Sequence, residues 1–129
     1  MNLIDQINQS NYIFYFLVVD NFLDIWVPQA KNLHLIYASK PNQETTLKNQ
    51  KIPYFYLTSN QTIQNSGKLL SDPQVQDYIK NTSANRQIVI VPFKPSAKIE
   101  FICHQNNWIC AAASHQLNRF LEDKNEFAK

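Results

Sequence analysis

The run Tyr12-Ile13-Phe14-Tyr15-Phe16-Leu17-Val18-Val19 constrains the fold of this chain more than any other segment. Every side chain in it is aliphatic or aromatic, and the run stops at Asp20-Asn21. A strand with one wet face alternates polar and apolar residues, whereas an uninterrupted run is buried on both faces. Strands of that kind sit inside parallel sheets, covered by helices.

The rest of the chain repeats the theme. Leu33 to Ala38 reads as a second strand, Ile52 to Thr58 as a third, Gln87 to Phe93 as a fourth and Trp108 to Ala112 as a short fifth. Pro53 cannot donate to a ladder, which suits the entrance to an edge strand. Between the strands lie helical spacings. Phe22, Ile25, Trp26 and Ala30 share a face over 21–31, kinked or shortened by Pro28. Ser71-Asp72-Pro73 joins a capping side chain to proline at the first helical position, ahead of the apolar face Val75, Tyr78, Ile79. Ser96 caps a last helix with Ile99, Ile102, Cys103 and Asn106 on one side. Residues 40–51 and 59–67 read as polar connections. The fold class is therefore α/β, a three-layer Rossmann-like domain with a mainly parallel sheet of about five strands. The length of 129 residues suits one such domain.

In open sheets of this class ligands gather beyond the carboxyl ends of the strands. That directs attention to Asp20-Asn21, Ser39-Lys40, Thr58-Ser59 and Phe93-Lys94-Pro95-Ser96. Composition removes several functions there. Gly67 is the one glycine, so neither a P-loop nor a dinucleotide-binding turn can be built. The net charge of +2, with basic residues scattered, gives no track for a phosphate backbone, and nucleic acid is not an expected partner. Cys103 and Cys110 have no companions at zinc-ligand spacing and read as two small buried thiols in a reducing cytoplasm. No apolar run approaches the ~20 residues of a membrane helix, and no secretory leader is evident, so no membrane partner is expected. The aromatic set Tyr12, Phe14, Tyr54, Phe55 and Tyr56 reads as core and sheet surface. His34 and His104 read as ordinary strand and helix residues. Ser114-His115 lacks a third partner for nucleophilic chemistry.

The order of elements resembles the domain that precedes the nucleotide-binding core in the ATP-grasp superfamily, in the carboxylate–amine (peptide) ligase-like branch. The residues that carry the likeness are Lys68-Leu69-Leu70-Ser71-Asp72-Pro73, then Ile90-Val91-Pro92-Phe93 with Ser96 and Glu100, then Trp108-Ile109-Cys110, and finally Leu117 to Lys124. The resemblance implies a pre-ATP-grasp-like domain over 1–116. Residues 117–129 would open the following core, truncated here. It implies ATP and magnesium as cofactors of the full-length protein, with none held by this segment. Its partners would be the carboxy-terminal lobes, a small-molecule carboxylate and an amine. The carboxylate becomes an acyl-phosphate that the amine attacks.

By the same resemblance Lys124, in the Asp-Lys step opening the core, would reach the nucleotide phosphates. A cation is apt where charge grows on transferred phosphoryl oxygens. Asp20, Asn21, Lys94 and Ser96 would lie on the substrate side. No metal ligand and no catalytic residue is expected within this segment. Apolar surface left without its lobes would favour a homo-oligomer. The glycine-rich turn common after the first strand is replaced by Asp20-Asn21-Phe22.

Two other classes compete with this reading. A degenerate receiver-like signalling or interaction domain is suggested by Val18-Val19-Asp20 and Lys94-Pro95, but its third strand ends Tyr56-Leu57-Thr58-Ser59-Asn60 without a phosphoacceptor carboxylate. A purely structural partner-binding α/β domain is the other.

Overall fold

A computed structural model describes residues 11–19, 32–58, 65–92 and 96–111. Within them the chain forms β1 (Tyr12–Val18), β2 (Leu33–Tyr37), α1 (Glu44–Asn49), β3 (Tyr54–Tyr56), α2 (Ser66–Ser71), α3 (Pro73–Thr82), β4 (Gln87–Pro92), α4 (Ala97–Asn106) and β5 (Ile109–Cys110). The helix expected over 21–31, the Ser114-His115 pair and the segment 117–129 lie outside the described residues.

The strands make one five-stranded sheet in the order β3-β2-β1-β4-β5. All four pairings are parallel, so the sheet is wholly rather than mainly parallel. β1 occupies the centre, flanked by β2 in the register Phe14↔Leu33 to Val18↔Tyr37 and by β4 from Tyr12↔Gln87 to Leu17↔Pro92. Its uninterrupted apolar run is accounted for by that position, because successive side chains enter opposite faces and both are covered. On one face Ile13, Tyr15 and Leu17 join Ile36, Ile88 and Ile90 beneath Leu69, Leu70, Val75, Ile79, Ile99 and Ile102 from the three helices α2, α3 and α4. On the other, Phe14 and Val18 join Leu33, Leu35, Val89 and Val91, with Leu47 of α1 and Ile52 packed on them. The architecture is a three-layer Rossmann-like α/β fold.

Local chemistry sets the helix boundaries. Asp72 is shared between two helices: its extended backbone (φ −67°, ψ 130°) ends α2, and its carboxylate accepts from the Gln74 N–H at 2.8 Å to start α3. Pro73 follows at a position whose N–H would find no partner in the helix. The Ser96 hydroxyl accepts from the Ile99 N–H at 3.2 Å and starts α4. At the other end of α4, Asn107 takes a left-handed conformation (φ 58°, ψ 36°), which asparagine tolerates better than most residues.

Two expectations are corrected. Residues 40–51 are not a plain loop, since Glu44–Asn49 is helical with Leu47 buried. A single apolar anchor in a six-residue helix leaves no periodicity to detect. The polar connection assigned to 59–67 also ends earlier. Asn65 caps α2 by accepting from the Lys68 N–H at 2.8 Å, placing Ser66 and Gly67 inside the helix. Gly67 is there because α2 lies against α4: a Cβ on it would stand 3.2 Å from the Lys98 Cβ. The one glycine serves helix packing rather than a turn.

Candidate functional site

A parallel sheet has two chemically distinct ends, and the strand order determines where a crevice opens. The chain moves from β1 outward to β2 and β3, then returns across the sheet to β4 on the other side of β1. Connections leaving the carboxyl ends of β1 and β4 therefore diverge, and that switch point is where ligands bind in open α/β sheets. The flanking described residues are Val18 and Val19 after β1, and Pro92 with Ser96 around the β4–α4 connection.

Of the expected site residues, Ser96 is described. It is exposed, and its oxygen is committed to the Ile99 N–H. Its hydroxyl hydrogen, which the cap does not use, can donate to an oxygen ligand. Asp20, Asn21, Lys94 and Lys124 lie outside the described residues. The other strand-end groups, Ser39, Lys40 and Thr58, are exposed. Lys40 Nζ lies 3.8 Å from Glu44 Oε1, and the Tyr54 hydroxyl donates to Glu44 Oε2 at 2.7 Å. Glu44 thus links a strand-end lysine to the edge strand. The Tyr54 hydroxyl is pushed up to about 12, first by desolvation and then by its bond to Glu44. At neutral pH it is a donor.

The most developed polar network of the described residues stands elsewhere. His34 Nδ1 is 2.6 Å from the Tyr78 hydroxyl, and the Tyr15 ring packs against both, with centroids at 5.2 Å and 6.2 Å. The Tyr15 hydroxyl donates to the Ile79 carbonyl at 3.1 Å and meets Thr82 Oγ1 at 2.7 Å. Thr82 Oγ1 in turn donates to the Tyr78 carbonyl at 2.7 Å. Burial pushes the Tyr15 hydroxyl up to about 12, against a lowering by Thr82, and burial also raises Tyr78.

The last turn of α3 leads through Ser83–Arg86 directly into the start of β4, so this network sits toward the amino end of the sheet. It is remote from the switch point. Its arrangement anchors α3 to the sheet. In the sequence His34 reads as an ordinary strand residue, and the signal for the network is the pair Tyr78 and Thr82, four apart on one helix face.

Among the described residues no group of three or more His, Cys, Asp or Glu side chains could hold a metal ion, and no helix is long and apolar enough to cross a membrane. Comparison with protein-family models, with curated proteins and with solved structures returned no match to this chain.

Proposed function

We propose that this domain is the amino-terminal, substrate-side part of an ATP-dependent carboxylate–amine ligase of the ATP-grasp type. The observation that supports the reading is the strand order 3-2-1-4-5 with every pairing parallel. This order opens a crevice between the carboxyl ends of β1 and β4. Asp20 and Asn21 follow β1 in the sequence, and Lys94 and Ser96 follow β4. These four side chains would hold the carboxylate substrate. The Lys94 ammonium would oppose its charge, and the Ser96 hydroxyl would donate to it. Lys124, with ATP and magnesium supplied through the nucleotide lobes, would steady the transferred phosphoryl group.

The strand order also weighs against the receiver-like alternative. Flavodoxin-like sheets of that type run 2-1-3-4-5, with the third strand beside the first. Here β3 borders β2 and stands at the edge.

The test is to incubate the full-length gene product with ATP, magnesium, hydroxylamine and a panel of amino acids and small carboxylic acids. ADP release that depends on a carboxylate, with formation of the matching hydroxamate, is expected. This chain by itself should turn over no ATP. In the full-length protein Lys124→Ala should weaken ATP binding without lowering the melting temperature. A full-length protein that binds no ATP by calorimetry would sink the reading. So would stoichiometric labelling by a small phosphodonor.

A further inference from the structure

Cys103 and Cys110 lie on either side of one hydrogen-bonded chain reversal. Cys103 lies in the final turn of α4 and Cys110 in β5, with Asn107 and Trp108 between the two elements. The Asn107 N–H donates to the His104 carbonyl at 3.3 Å and the Trp108 N–H to the Cys103 carbonyl at 2.8 Å, which closes the helix and reverses the chain. Pairing of Cys110 with Ile90, and the Ala111 N–H bond to the Ile90 carbonyl at 2.9 Å, hold the returning strand against the sheet. Both cysteine side chains therefore enter the same hydrophobic layer, Cys103 as a member and Cys110 packed against it. The two thiols are free.

We propose that Cys103 and Cys110 are a reversible dithiol–disulfide pair that exchanges with small disulfides, Cys110 as the attacking sulfur and Cys103 as the resolving one. Exposure assigns the roles. Cys110 is half-buried, on a strand at the end of the described sheet, while Cys103 is 2% exposed. The proton distribution agrees. Interaction with the Cys103 thiol lowers Cys110, against raising contributions from burial and Glu100. That same interaction raises Cys103, followed by burial.

With glutathione disulfide as oxidant, the Cys110 thiolate attacks one of its sulfurs. A Cys110–glutathione bond forms, and the first glutathione leaves as a thiolate that takes up a proton. Cys103 then loses its proton and attacks the Cys110 sulfur, forming the Cys103–Cys110 bond and expelling the second glutathione. Two protein thiols are oxidised, and one glutathione disulfide is reduced to two thiols. The product ties the end of α4 to β5.

The experiment equilibrates the folded chain with glutathione buffers of graded ratio, then alkylates free thiols and reads intact mass and peptide map. The expected product is about 2 Da lighter, carries no alkyl group and contains a 103–110 crosslinked peptide. It should revert with excess reduced glutathione. Cys103→Ser should stop at a mixed disulfide on Cys110, about 305 Da heavier. Cys110→Ser should react at least tenfold more slowly than Cys103→Ser.

The wild-type result stands even where a variant fails to fold, because it needs no substitution. Two alkylatable thiols persisting at ratios that oxidise thioredoxin-type dithiols would overturn the proposal. So would a crosslink that forms only after denaturation, or a stable glutathione adduct on Cys110 beside free Cys103.

Discussion

The Tyr15 hydroxyl lies 2.7 Å from Thr82 Oγ1, joining the central strand to the last turn of α3 across 67 residues of sequence. Because the Thr82 hydrogen is directed to the Tyr78 carbonyl, the one Tyr15 hydroxyl hydrogen is shared between Thr82 Oγ1 and the Ile79 carbonyl at 3.1 Å. Tyr15 is fully buried, so no water replaces the contact if one partner is removed. Tyr15→Phe should cost about 1–2 kcal/mol, and Tyr15→Ala about 3–5 kcal/mol once the cavity is added. Urea unfolding of the two variants measures both. A Phe variant as stable as wild type would show that the hydroxyl's contacts with Ile79 and Thr82 contribute nothing.

The same burial gives an alkaline limit to stability. In the folded chain Tyr15 is pushed up to about 12 from the ordinary tyrosine value of 10. Between those values the unfolded chain has released its proton and the folded chain has not, so unfolding gains as pH rises. The contribution of Tyr15 is complete below pH 10 and falls away by pH 12, a loss of about 2–3 kcal/mol. Denaturant midpoints from pH 9 to 12 should decline, and Tyr15→Phe should decline less steeply. Parallel curves for the two proteins would contradict the argument.

Ser96 separates a structural contribution from a ligand contact. Its cap on the Ile99 N–H makes Ser96→Ala about 1 kcal/mol less stable, whereas Ser96→Asp retains an acceptor and should stay near wild type. Placing a carboxylate at the proposed substrate side would repel an anionic ligand. If the proposed function holds, Ser96→Asp should thus preserve the melting temperature yet weaken carboxylate binding, as read by calorimetry.

Gly67 offers a packing test. Alanine there gains helix propensity but sets its Cβ 3.2 Å from the Lys98 Cβ, so the two effects nearly offset. Gly67→Ala should change stability by less than about 1 kcal/mol, while Gly67→Val, which fills space that α4 occupies, should cost about 1–3 kcal/mol. Thermal melting distinguishes them. Equal melting temperatures for the valine variant and wild type would mean that α2 and α4 are not held in close contact.

The sheet was legible in the sequence because its strands carry continuous apolar runs, above all 12–19 and 87–93. The Asp72-Pro73 and Ser96 helix starts were legible because capping chemistry is local. α1 was not, since Leu47 alone marks its buried side. Nor was the strand order, which depends on pairings between distant segments that periodicity does not encode. At the candidate site Ser96 was found, and its capping role with it. The His34–Tyr78–Tyr15 cluster was missed because its members come from three separate elements, and the Cys103–Cys110 contact because it needs the Asn107 reversal.

The central position of β1 has a bearing on how this protein is made. Of the described strands synthesis delivers Tyr12–Val18 first, yet one of its two neighbours, Gln87–Pro92, leaves the ribosome only after most of the described chain. Until then the earliest strand has an unsatisfied ladder edge and bare aromatic side chains, the features that recruit chaperones or seed aggregates. Translation paused before Gln87 would hold the nascent chain in that vulnerable state, and release of β4 would end it.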